Sequence, residues 1–159
     1  MAPSQAFIHA ELGLLITRLG RLWRREVDRA VAAHGLSQAT AIPLVVLSRR
    51  GKSVRQCVLA EEMGIEGPSL VRLIDLLQAE RLVERREDPT DRRAKMLHLT
   101  ALGEMRADEI NRVLRRVRAH LLKGVSGEDL AVTFEALQRI EQRASRSLEA
   151  AAIVEAVQP

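Results

Sequence analysis

Tyrosine is missing from this 159-residue chain, and Phe7, Trp23 and Phe134 are its only aromatics. That scarcity argues against a surface that grips single-stranded nucleic acid by stacking bases on rings. The single cysteine, Cys57, cannot form an intrachain disulfide and fits a reducing compartment. No apolar run approaches the roughly 20 residues that span a bilayer, so no membrane partner is expected. The N-terminal stretch carries no Lys or Arg before Arg18 and no continuous apolar core, unlike a secretory signal. His9, His34, His98 and His120 are scattered without metal-ligand spacing, and no nucleophile elbow, phosphate-cradling glycine loop or paired-carboxylate motif occurs. The reading is therefore of a protein that is not an enzyme, with no metal site and no cofactor.

Charge is plentiful but nearly balanced. Lys plus Arg number 25 and Asp plus Glu 21, so the placement of charge along the chain is more informative than its total. Three stretches have long helical periodicity. From about residue 6 to 34, Ile8, Leu12, Leu15, Ile16, Leu19, Leu22, Trp23, Val27 and Val31 form a stripe that ends at Gly35, a residue tolerant of positive φ. Thr100 caps a helix to about Lys123, with Leu102, Met105, Ile110, Val113, Leu114 and Val117 on one side and Arg106, Arg112, Arg115, Arg116 and Arg118 elsewhere. Ser126 and Asp129 open a last helix carrying Leu130, Phe134, Leu137, Ile140 and Leu148. Such stripes need cover, and the economical cover is a second copy related by a two-fold axis.

Between these ends, Ser37 caps a helix that closes at Gly51 and contains Pro43, where a lost hydrogen bond should bend or loosen it. Ser53 with Gln56 reads as a capping box for a third helix ending at Met63 and Gly64. Cys57 falls on the inner face of that helix and is expected to be buried and inert. Glu66-Gly67-Pro68 opens a fourth helix, since proline suits a first turn. Leu70, Leu73, Ile74 and Leu77 point inward, while Ser69 and Arg72 project together from another face. Residues 82–86 and 95–99 have strand character, joined by the charged turn EDPTDRRA. From residue 81 to 95, six basic side chains face four acidic ones. Helix, turn, helix and basic hairpin together describe a winged helix-turn-helix, which lays one helix in a DNA major groove and a loop beside it. The expected fold is thus mainly α with a small β-wing. It forms one domain over 1–159, with a DNA-binding lobe at 36–100 and dimerisation helices at 6–34 and 101–156. Two-fold pairing would set the recognition helices roughly 34–36 Å apart, one DNA turn.

The segment LAEEMGIEGPSLVRLIDLLQAERLVERREDPTDRRAKMLHLT resembles the MarR family of bacterial transcription regulators, and most of all its SlyA-like branch. The resemblance is carried by GIE-x-PSLVR in the fourth helix and by DRRAK with a following LT at the wing. RLWRREVD in the first helix and LSQAT before the second add to it. It implies a homodimer on double-stranded operator DNA, usually a repressor, released by a small aromatic or carboxylate effector. The location implied is the bacterial cytoplasm, at the nucleoid when DNA is bound. Gly67, Pro68, Ser69 and Arg72 match the major-groove helix. Arg93 matches the wing arginine of the minor groove, Asp91 the acid that steadies the wing, and Arg92 and Lys95 neighbours that meet phosphate. Arg85 and Arg86 complete the basic hairpin. Arg21 matches an arginine associated with the effector carboxylate, in a site expected to include Trp23, Ala41 and Val45.

The chain departs from the SlyA-like pattern in places. Val45 and Ala41 stand where a histidine and a tryptophan are usual, and Arg81 replaces the customary glycine after the recognition helix, so that end is expected to close differently. The alternatives are a regulator that senses oxidants through a thiol, although such sensors carry it in the first helix, and a winged-helix interaction module without an effector. Ser69, Arg72 and Arg93 argue against a module that has lost DNA.

Overall fold

Ser4 begins the first helix, its Oγ accepting the Phe7 amide at 3.3 Å. The computed structural model describes residues 4–51, 53–91 and 94–157, with side-chain surroundings to residue 148. In order these form α1 (Gln5–Ala32), α2 (Gln38–Arg50), β1 (Val54–Arg55), α3 (Gln56–Met63), α4 (Gly67–Ala79), β2 (Val83–Glu87), β3 (Lys95–Leu99), α5 (Ala101–Leu121) and α6 (Gly127–Val157). The mainly helical fold with a small antiparallel sheet is the class the sequence predicts. The chain divides into two units, Met1–His120 and Leu121–Pro159.

In the first unit, the Ser37–Thr40 capping box starts α2, and the Gln38 amide donates to Asp28 of α1 at 2.6 Å. Pro43 lacks the N–H that would bond to Ala39, yet α2 runs on without interruption, with the proline ring buried in the core. Gly64 takes the left-handed conformation (φ 61°) that turns α3 into α4. The core gathers Leu44 and Leu47 of α2, Leu59 of α3, Leu70, Ile74 and Leu77 of α4, Leu97 of β3, and Ile110 and Leu114 of α5. From α1, Val27 and Val31 are buried. Its earlier turns leave Phe7, Leu14, Leu15, Leu19 and Leu22 at least half exposed.

Three readings of the sequence need correction here. Ser53 and Gln56 form no capping box. Val54 and Arg55 are instead a short strand, pairing antiparallel with Leu97 and Met96, and the α3 N-cap is Arg55 with no side-chain cap. The sheet therefore has three strands in the order β1-β3-β2. Cys57 is exposed rather than buried. The inward positions of α3 are Gln56, Leu59, Ala60 and Met63, the 3–4 spacing of one helical face, and Cys57 is one residue out of phase with them. Finally, Arg81 does not force a different closure after α4. It adopts the left-handed conformation itself, at φ 58°, while its carbonyl accepts the Thr100 hydroxyl at 2.7 Å.

Thr100 also caps α5, its Oγ1 accepting the Gly103 amide at 2.9 Å. In the second unit, Ser126 Oγ accepts the Asp129 amide at 3.0 Å and opens α6. Val132, Phe134, Ile140 and Leu148 of that helix are exposed.

Candidate nucleic-acid interface

The start of α4 is built to leave its first turn open. Glu66 is the N-cap but makes no side-chain cap hydrogen bond, and Pro68 contributes no amide. The N–H groups of Gly67 and Ser69 thus lie at a helix N-terminus with no side-chain cap, where the macrodipole favours an anion. Gly67, Pro68, Ser69 and Arg72 are all exposed. Among the described residues, no hydrogen bond or ion pair engages the side chains of Ser69 or Arg72. Burial of Leu70, Ile74 and Leu77 on the opposite face fixes which way these side chains look.

The hairpin beside α4 is held by specific contacts. Arg85 donates to Asp75 Oδ1 of α4 at 2.9 Å and is largely covered, so it is a strut between helix and strand. Arg86 faces solvent with Glu84, which accepts from it at 2.7 Å. Lys95 reaches Glu87 across the β2–β3 register at 3.3 Å.

At the turn, the buried acid is Asp88. Its Oδ1 accepts the Thr90 amide at 2.8 Å and the Thr90 hydroxyl at 2.6 Å. Its Oδ2 accepts Arg55 Nε from β1 at 2.7 Å, and Arg55 Nη2 also reaches Thr90 Oγ1 at 3.2 Å. The Thr90 hydroxyl and amide, with Arg55, hold the Asp88 carboxyl down at about 2. Backbone bonds complete the turn: the Asp88 amide donates to the Ala94 carbonyl, and the Asp91 carbonyl accepts from the Ala94 amide. Asp91, the acid the resemblance singles out, sits in this turn. Arg92 and Arg93 lie outside the described residues.

Sequence reading missed Asp88 and Arg55. Asp-x-Thr is a local signal for a side chain capping its own turn, but Arg55 is 33 residues away and became relevant only with β1 in the sheet.

The four effector candidates are not alike in exposure. Arg21 is exposed on α1, Trp23 is partly buried against the core, and Ala41 and Val45 are within it.

Comparison with known proteins places this geometry. Residues 34–94 match the MarR family. The chain is 36% identical to the transcriptional regulator PA3341, with a TM-score of 0.78, covering 85% of this chain and 98% of that one. CouR from Rhodococcus jostii RHA1, solved bound to p-coumaroyl-CoA, is 25% identical with a TM-score of 0.75, over 86% of this chain and 95% of that one. A mutant MarR from E. coli, solved in complex with operator DNA, shares the fold at 19% identity and a TM-score of 0.75, over 86% and 99% of the two chains. With its matched winged helix and a regulator relative at more than a third identity, this chain belongs to the MarR family of DNA-binding transcription regulators.

Proposed function

We propose that the protein is a homodimeric repressor of the SlyA-like kind, binding a pseudo-palindromic operator and leaving it when a small organic anion binds. The observation that carries this reading is the α4 N-terminal face, with Ser69 and Arg72 exposed and unengaged on an uncapped first turn. Arg72 is suited to a bidentate contact with guanine O6 and N7, and the amides of Gly67 and Ser69 to a phosphate. Arg86, Lys95 and, by resemblance, Arg92 and Arg93 supply wing contacts to backbone and minor groove, a narrow minor groove drawing arginine by its negative potential. Arg85 and the Asp88–Arg55–Thr90 cluster keep that wing in place. The exposed apolar residues of α1 and α6, with Leu102 and Met105 of α5, are the surfaces a second copy would cover. The operator-bound MarR and the ligand-bound CouR support the two halves of the reading, DNA and effector.

The test is fluorescence anisotropy on duplexes selected by the protein from genomic DNA. Arg72→Ala should weaken binding to the selected duplex by about 1–3 kcal/mol, roughly five- to more than a hundredfold, and relax sequence preference at one position of each half-site. Affinity should also fall steeply with salt as phosphates release counterions. An unchanged affinity and preference in Arg72→Ala removes α4 from the interface.

A second reading, thiol control of the wing, is favoured by one observation. Cys57 is exposed and lines a groove with Asp91, Ala94 and Lys95 of the wing. Loss of DNA affinity on alkylation, absent in Cys57→Ser, would support it.

A further inference from the structure

The arginines of α5 lie outside the α4 face and the wing described above. Between Ile110 and Ser126 the chain has no acid, while Arg112, Arg115, Arg116, Arg118 and Lys123 all fall there. Helical spacing brings Arg112, Arg115 and Arg116 together, and with His34 they line an open groove of about 600 Å³ in the first unit. That volume is within the usual range of about 300–1,000 Å³ for small-molecule sites. Among the described residues the groove contains one acid, Glu109, and both of its oxygens are occupied: Oε1 by His34 Nδ1 at 2.8 Å and Oε2 by Arg106 Nη1 at 2.9 Å. No ion pair reaches Arg112, Arg115, Arg116, Arg118 or Arg49 among the described residues. Arg118 is partly buried, with Arg49 of α2 and Arg115 as like-charged neighbours. Partial burial and mutual repulsion both work against its charge. The exposed guanidiniums of Arg112, Arg115 and Arg116, with no carboxylate paired to them among the described residues, concentrate positive charge along this groove and attract an anion.

We propose that this groove is a binding site for a small phosphate-bearing anion, held by Arg112, Arg115 and Arg116, with Arg118 and Arg49 adding to the field. A carboxylate is satisfied by one guanidinium fork. Several forks on neighbouring turns of one helix suit the oxygens of a phosphate or diphosphate, which carry more charge and accept from more directions. The effect of such a ligand on DNA rests on the effector-responsive reading above; the binding itself does not.

The experiment is calorimetric titration of inorganic pyrophosphate into the full chain at constant ionic strength. Saturable binding is expected in the wild type. It should be at least tenfold weaker in the double variant Arg115→Gln, Arg116→Gln, whose side chains are exposed and whose fold circular dichroism checks. It should be unchanged in Arg146→Gln on α6. Without ligand, the double variant should melt no lower than wild type, because repulsion is removed with the charges. The proposal fails if the double variant binds as well as wild type, if Arg146→Gln loses as much, or if the wild type shows no saturable heat up to millimolar pyrophosphate. It fails also if the double variant alters only the mass of the assembly or the affinity for duplex DNA, the signs of a second copy or a DNA backbone in the groove. Anisotropy with duplex DNA is read separately. DNA that binds but is not released by pyrophosphate defeats the effector coupling, and DNA that never binds defeats the regulator reading; neither alters what calorimetry says of the groove.

Discussion

Leu70 and Leu19 are both leucines on the apolar stripe of an amphipathic helix, but Leu70 is fully buried and Leu19 is 52% exposed. The stripe of α4 lies in a core shared with α2, α3, the sheet and α5, so the winged lobe covers its apolar surface with its own chain. The first turns of α1 present Phe7, Leu14, Leu15, Leu19 and Leu22 with no such cover. Burying a leucine is worth about 1.5–3 kcal/mol. The lobe has collected that stabilisation already, whereas α1 still has it to gain. One region is therefore fixed by packing within the chain, and the other leaves an apolar face uncovered.

The largest expected effect breaks the covered side of this comparison. Gly103 passes so close to the entry of β2 that an added Cβ would lie 1.9 Å from the Leu82 carbonyl oxygen and 2.9 Å from its carbon. That carbonyl also accepts the Thr100 amide at 3.1 Å, so it cannot swing aside without loosening the root of the wing. Gly103→Ala should cost about 3 kcal/mol and lower the melting temperature by roughly 10 °C. An unaltered melting curve would show that the lobe yields here. The uncovered side is broken differently. Leu15→Asp with Leu19→Asp should leave the lobe folded but weaken self-association at least about a hundredfold. Light scattering should then give the mass of one chain where the wild type gives two. A wild type that is monomeric at micromolar concentration would end the argument for a paired α1.

The same difference separates what was legible in the sequence from what was not. Stripes such as Leu70, Ile74 and Leu77 announce themselves by periodicity, and caps such as Ser37 and Ser126 by residue type three positions from their partners. The lobe was readable because most of its signals are local. The failures are where a distant residue decided the outcome. Ser53 and Gln56 have the spacing of a capping box, but pairing with Leu97 and Met96 drew Val54 and Arg55 into the sheet. Cys57 is exposed because the inward face of α3 is set by Leu59, Ala60 and Met63, with which it is out of phase. Asp88 looked like one acid among four in a charged turn until Arg55 arrived from β1. For the effector candidates, residue pattern carried no information on accessibility: Ala41 and Val45 are core residues.

Asp88 offers a smaller effect confined to the edge of the lobe. Its carboxyl is lowered from 3.8 to about 2 by Thr90 and Arg55. A depressed acid contributes stability in full above its unfolded value, and loses it as pH falls through the folded one. The wing latch should thus be intact above about pH 4 and open between about pH 4 and 2. The protection of the Thr90 and Ala94 amides against hydrogen exchange, taken relative to the intrinsic rate at each pH, should fall over that window in the wild type. Asp88→Asn, which keeps an acceptor but loses the ion pair with Arg55, should be less protected at neutral pH and show little further change in protection on acidification. Equal protection in variant and wild type would mean that the backbone turn alone holds the wing.

The smallest effect tests whether the lobe's own packing can tolerate strain. Arg81 holds φ 58°, a conformation that costs a non-glycine residue about 1–2 kcal/mol. It stays there because its amide donates to the Gln78 carbonyl at 2.9 Å and its carbonyl accepts the Thr100 hydroxyl, bonds that any residue at this position retains. Arg81→Gly removes the strain but adds freedom to the unfolded chain, worth about 0.5–1 kcal/mol in the other direction. The net gain should be about 0.5 kcal/mol, or roughly 1–2 °C in the melting temperature. Arg81→Ala is the control. It removes the same exposed side chain but keeps the Cβ, so it should give no gain. If alanine stabilises as much as glycine, the arginine side chain rather than its left-handed backbone is the source of the cost.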